Sequence, residues 1–169
     1  VGHQFKHDIV GIAALNTDCD LVLLGIKDST APSLPIGDSS QVQIGDEVYA
    51  VGNPHGLEGT LSHGIVSGIR QVGEHKLLQM TAPISPGSSG GPVLNTRGEV
   101  IGVAVATVRD GQNLNFAVPS SYLPPLLATA GSPKPFSAET PSRKSASLVG
   151  GSGARNTEGV TAGSIEWRP

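Results

Sequence analysis

The segment Ser85-Pro86-Gly87-Ser88-Ser89-Gly90-Gly91-Pro92 holds the residues of this chain best suited to chemistry. Acyl transfer needs an exposed hydroxyl on a turn whose backbone N–H groups converge on a developing oxyanion, and glycines permit both the dihedrals and the close approach of substrate. On its own, a Gly/Ser string reads as a surface turn or linker. Here apolar runs lead into it over residues 77–84 and out of it over residues 92–94, which places it inside a domain.

The string also fits the G-x-S-x-G elbow of α/β-hydrolases. That fold requires a helix after the serine and a histidine downstream, but Pro92-Val93-Leu94-Asn95 continues as strand and turn, and no histidine follows His75. A subtilisin-like order of Asp20, His63 and Ser89 fails likewise, because its serine should head a long helix.

The elements around the turn are short and extended. From Glu47 onward, runs at 47–51, 64–67, 77–80, 100–105 and 114–118 alternate with turn signals such as Asn95-Thr96-Arg97-Gly98, as expected of a barrel or sandwich. Two earlier runs, 9–15 and 21–24, flank Asn16-Thr17-Asp18-Cys19-Asp20 and read as paired strands. One short helix is expected after Pro119, capped by Ser120 or Ser121, with Pro124 and Pro125 in its first turn. Beyond about Ala130 the composition turns to Ser, Pro, Gly, Lys and Thr, the mark of a linker or disordered tail. The domains expected are therefore 1–129 and 130–169.

With 169 residues and 37% hydrophobic content, one compact unit is expected. A net charge of -3 with scattered basic residues argues against nucleic acid as a partner. No apolar run is long enough to span a membrane as a helix. Cys19 is the single cysteine, so the chain has no internal disulfide, and it is expected to be a small buried packing residue. His3 and His7 lie too far apart on an extended segment to share an ion, and no metal or cofactor is expected.

An ordered series of motifs resembles the HtrA (Deg) type trypsin-like peptidases: Asp20-Leu21-Val22-Leu23-Leu24, Ile44-Gly45-Asp46-Glu47-Val48, Val51-Gly52-Asn53-Pro54-His55-Gly56-Leu57, Gly64-Ile65-Val66-Ser67, Gly87-Ser88-Ser89-Gly90-Gly91-Pro92 and Asn115-Phe116-Ala117-Val118-Pro119. The resemblance covers roughly residues 5 to 127. It implies an all-β, trypsin-like double β-barrel, the first barrel incomplete and the second, about residues 39–128, nearly complete. It makes Ser89 the nucleophile and Asp20 the triad acid. Gly87, Ser88 and Ser89 become the oxyanion turn, Gly87 and Ser89 giving the N–H donors and Ser88 its shape. Asp18, without an apolar run directly after it, is an exposed loop acid.

The same resemblance lines the substrate site with Thr81, Ala82, Pro83 and Ile84 and with Val103, Ala104, Val105 and Ala106, the peptide adding as a strand along residues 103–107. Small apolar walls suggest apolar side chains in the specificity pocket. The family's histidine precedes the aspartate in an Asn-x-His-Val setting that no residue here matches. The chain is accordingly read as a fragment whose histidine precedes Val1, and isolated it should be marginal or aggregation-prone. His55 reads as a loop residue, His63 as a strand-edge surface residue and His75 as an exposed hairpin tip. The resemblance implies a serine endopeptidase acting on protein or peptide outside the cytoplasm. It is compatible with a homo-oligomeric full-length protein and a further interaction domain tethered by 130–158. The alternative is a non-catalytic peptide-binding module.

Overall fold

A computed structural model describes residues 7–27, 32–53, 59–107 and 114–136, the side chains of Ala106 and Thr107 excepted. His3, His55 and the tail from 137 onward lie outside the described residues, as does the Ala106 side chain.

The described residues form eight strands: β1 (Ile9–Asn16), β2 (Leu21–Ile26), β3 (Glu47–Gly52), β4 (Thr60–Val72), β5 (His75–Met80), β6 (Pro92–Leu94), β7 (Val100–Thr107) and β8 (Asn115–Pro119). β1 and β2 form an antiparallel pair, and the other six close into a barrel in the order β3-β4-β5-β8-β7-β6. Closure rests on β4, whose first half pairs with β3 and whose second half pairs with β5, the change of partner marked by a register shift between Val66 and Gly68. A bulge of this kind bends a strand enough to turn a barrel corner.

Alternation decides which side chains fill the barrel. Val48 and Ala50 of β3, Leu78 and Met80 of β5, Val93, Ile101, Ala104 and Ala117 form one buried cluster. Met80 is 1% exposed, so its burial alone contributes about 1.5–3 kcal/mol. A second cluster, Cys19, Leu21, Val118 and Leu126, with Leu77, Val105 and Tyr122 packed on it, joins the β1–β2 sheet to the outside of the barrel. Ile9, Val10, Val22 and Leu24 of this sheet are exposed.

The helix arrives as expected, but not its cap. Ser120–Tyr122 is a 3-10 turn leading into α1 (Leu123–Ala128), and Tyr122 stands at the N-cap position with no side-chain cap. The Ser120 hydroxyl instead donates to Gly37 O at 2.7 Å, and the Ser121 N–H donates to Ser39 Oγ at 3.0 Å. Two buried serines thereby tie the helix entry to the lead-in of β3. Nor does the chain leave the body at Ala130. Gly131 N–H donates to Ala13 O at 3.0 Å, and Ile12 and Lys134 exchange backbone bonds of 2.8 and 2.9 Å. A Cβ at Gly11 would overlap the Lys134 carbonyl, so only glycine admits this strap.

Candidate active site

The Gly/Ser turn is fixed from both sides. Ser88 N–H donates to Ser85 O at 2.9 Å and Gly91 N–H to Ser88 O at 3.0 Å, two consecutive tight turns in which Gly87 and Gly90 have φ of 100° and 84°. Gly90 N–H donates to Ala104 O at 2.8 Å, and Ala104 N–H to Gly91 O at 2.9 Å, so the turn is laced to β7. A Cβ at Gly91 would overlap the Val51 carbonyl, and one at Gly52 would stand 2.6 Å from Ser88 Oγ, so β3 closes on the turn from behind.

Ser88 is consequently buried while Ser89 is exposed. Ser88 N–H is spent inside the turn and is not available to an oxyanion, in keeping with a shaping role. The N–H groups of Gly87 and Ser89 donate to no acceptor among the described residues.

The Ser89 hydroxyl donates to Val105 O at 3.3 Å. That carbonyl is turned out of the ladder, because β7 and β8 lose register between Ala104 and Ala106, leaving Val105 at a bulge. Val105 also lines a cavity of about 260 Å³ together with Cys19, Asp20, His75, Leu77 and Tyr122. Val105 is thus linked to both residues, to Ser89 by a hydrogen bond and to Asp20 by the cavity that both line, although they lie 69 positions apart in the sequence.

Asp20 is held in an uncommon backbone state. Its φ of 52° makes it the one non-glycine with positive φ among the described residues, a conformation costing about 1–2 kcal/mol that persists only where the surroundings impose it. On one side Asn16 Oδ1 accepts the N–H groups of Asp18 at 3.1 Å and Cys19 at 3.0 Å. On the other, Leu21 is buried in the second cluster. Asp20 is exposed, and the partial loss of water around its carboxyl raises its pKa from the ordinary aspartate value.

Cys19 is buried as expected, and burial followed by the nearby Asp18 carboxylate raises its thiol pKa. It is thus the opposite of an activated thiolate. His75 departs from expectation. It is the first residue of β5 rather than a free hairpin tip, its Nδ1 lies 3.4 Å from Cys19 Sγ, and its ring meets Tyr122 edge-on at 5.8 Å. The signal that could have found it is alternation, since His75 shares a strand face with Leu77, which packs toward the β1–β2 sheet.

His63 is exposed in the first half of β4, where that strand pairs with β3 alone, opposite Tyr49 and 3.8 Å from Glu47. Among the described residues no group of three His, Cys, Asp or Glu could hold a metal.

The expected substrate residues divide. Ala82 and Ala104 are 0% and 1% exposed inside the barrel core, so their side chains cannot wall an open pocket. Thr81 Oγ1 accepts Ile65 N–H at 2.9 Å, and Pro83 O accepts the Ser62 hydroxyl at 2.6 Å. Pro83 and Ile84 border a smaller cavity of about 120 Å³ that reaches Ser88. Val103 pairs with Pro92 on one side and Val118 on the other. An added strand could therefore begin only at Val105, not at Val103.

A family profile described as "Trypsin-like peptidase domain" matches residues 2–103. The putative serine protease HhoA of Synechocystis sp. is 38% identical over 126 residues, 70% of this chain and 32% of that protein. A probable periplasmic serine endoprotease, DegP-like, of Chlamydia trachomatis is 39% identical over 127 residues, 70% of this chain and 25% of that protein. Among solved structures, the HtrA-type protease AlgW with decapeptide superposes with a TM-score of 0.65 at 28% identity, covering 73% of this chain and 40% of that one. The chain thus spans a quarter to a third of the length of these curated relatives.

Proposed function

This chain belongs to the trypsin-like peptidase family, with HtrA-type proteases as its relatives, and from that premise we propose that it carries the nucleophile and the acid of a serine endopeptidase. Ser89 Oγ attacks the scissile carbonyl and gives its proton to a histidine of the full-length protein. Asp20 orients that imidazole and stabilises its cation, the N–H groups of Gly87 and Ser89 receive the oxyanion, the C–N bond breaks as the imidazolium returns its proton to the departing amine, and water then hydrolyses the acyl group from Ser89. Peptide adds as a strand at the open edge of β7, from Val105 onward. The observation that carries this reading is Val105, whose carbonyl holds the serine while the same residue lines the cavity containing Asp20. An extracytoplasmic location is part of the proposal, supported by relatives named as periplasmic endoproteases.

The test is fluorophosphonate labelling of the natural full-length protein, with the adduct located by mass spectrometry. Ser89→Ala should abolish labelling and Ser88→Ala should keep it. Equal labelling of wild type and Ser89→Ala refutes the assignment.

One observation favours the peptide-binding alternative: among the described residues the partner of the Ser89 hydroxyl is a main-chain carbonyl rather than a base, and an unactivated serine is a weak nucleophile. In that case the full-length protein would bind extended peptides and leave them intact.

A further inference from the structure

We propose that His75 is a positioning residue: through its contact with Cys19 it holds the Asp20 turn in the conformation that presents the carboxylate toward Ser89. The meaning of that role for catalysis rests on the peptidase reading above.

The Asp20 backbone is intrinsically unfavourable, so something must restrain it. Asn16 is one restraint, through its bonds to the N–H groups of Asp18 and Cys19. Those bonds, however, tie the turn only to the end of β1 and could move with the β1–β2 pair as a unit. The fixing of the turn against the barrel comes from Cys19, the only residue between Asp18 and Asp20, which is 8% exposed and whose Sγ meets His75 Nδ1 at 3.4 Å.

His75 belongs to the barrel, as the first residue of β5, and is itself braced. Its ring lies edge-on to Tyr122, whose hydroxyl accepts the N–H of Lys76 at 3.0 Å. The chain of contacts thus runs from the barrel and the helix entry, through an imidazole and a thiol, to the residue beside the carboxylate. Burial favours the protonated thiol, which can donate to Nδ1 of the imidazole tautomer that carries its proton on Nε2.

An asparagine at position 75 can place its carbonyl oxygen near the Nδ1 position, whereas alanine cannot reach it. That difference separates positioning from space filling. In the natural full-length protein, His75→Ala should speed backbone hydrogen exchange over residues 16–21 while leaving exchange in β3, β5 and β7 unchanged. It should also lower kcat on a peptide substrate by roughly tenfold to a hundredfold, the scale of an ångström-sized misplacement, with KM within about twofold. His75→Asn should restore both readouts. Cys19→Ala, which removes the donor from the other side, should reproduce His75→Ala.

Unchanged exchange over 16–21 in His75→Ala overturns the proposal, as does a His75→Asn variant that regains thermal stability without regaining kcat. If the wild-type protein cleaves nothing, the peptidase reading falls by itself, and the exchange data still decide whether His75 fixes the turn.

Discussion

Gly52 lies 37 positions before Ser89 in the sequence, yet it should control the nucleophile. A Cβ added there would stand 2.6 Å from Ser88 Oγ, 2.8 Å from Ser88 Cβ and 2.9 Å from Ser88 Cα. The hydroxyl can rotate away, but the Cβ and the main-chain Cα cannot, so the turn must retreat from β3 by about 0.5–1 Å to regain ordinary contact. Overpacking of this kind costs about 1–3 kcal/mol. The displacement passes directly to Ser89, where a shift of this size corresponds to roughly a tenfold to hundredfold slower reaction.

The comparison is Gly90→Ala, in which the new Cβ meets nothing within 4 Å and the penalty is only the positive φ of 84°, about 1–2 kcal/mol. Urea unfolding at constant slope gives the stability term, and the rate of fluorophosphonate labelling gives the positional one. Ser88→Gly removes two of the three overlapping atoms and should recover most of the Gly52→Ala loss, a non-additive pair. A Gly52→Ala protein with wild-type midpoint and labelling rate would refute the reasoning, as would a double variant no better than the single one.

Ser120→Ala should lower stability by about 1–3 kcal/mol, since Ser120 is 0% exposed and its hydroxyl is bonded to Gly37 O; a thermal midpoint unchanged by calorimetry counts against it. For Asp20, the partial loss of water around the carboxyl raises its folded pKa, so the folded state binds more protons than the unfolded state as pH rises past the unfolded value. Stability is then lost with rising pH through that window, and Asp20→Asn should raise the urea midpoint at pH 7 while abolishing labelling; a lower midpoint at pH 7 contradicts the sign. Glu99 runs the other way, its carboxyl held low first by the Arg97 hydrogen bond and then by Asn95. Its contribution is present at neutral pH and lost as pH falls below about 4.3, so Glu99→Gln should cost stability at pH 7 and little at pH 3, by urea titration at each pH.

Seven of the eight strands and the turn that exposes Ser89 are legible in the sequence, because strand alternation and glycine are local signals. β6 is only three residues long and was visible mainly as the exit from that turn. The boundary at Ala130 was not legible. Residues 131–136 have the composition of a tail, and what holds them is a backbone ladder to β1 that composition does not encode. The family resemblance puts Ala82 and Ala104 at the substrate site, but barrel closure turns their side chains inward.

The amino-acid order by itself determined the extended segments, the glycine bend, the serine at its apex and the absence of a disulfide within this chain. Alternation says which side chains share a face of a strand but is silent on what that face meets. Only the folded chain decided that the bulge at Val105 would offer its carbonyl to Ser89 across 16 residues, and that His75 would reach Cys19 across 56. Those contacts come from barrel closure and from the docking of the β1–β2 sheet on its wall, which no local pattern of residues contains.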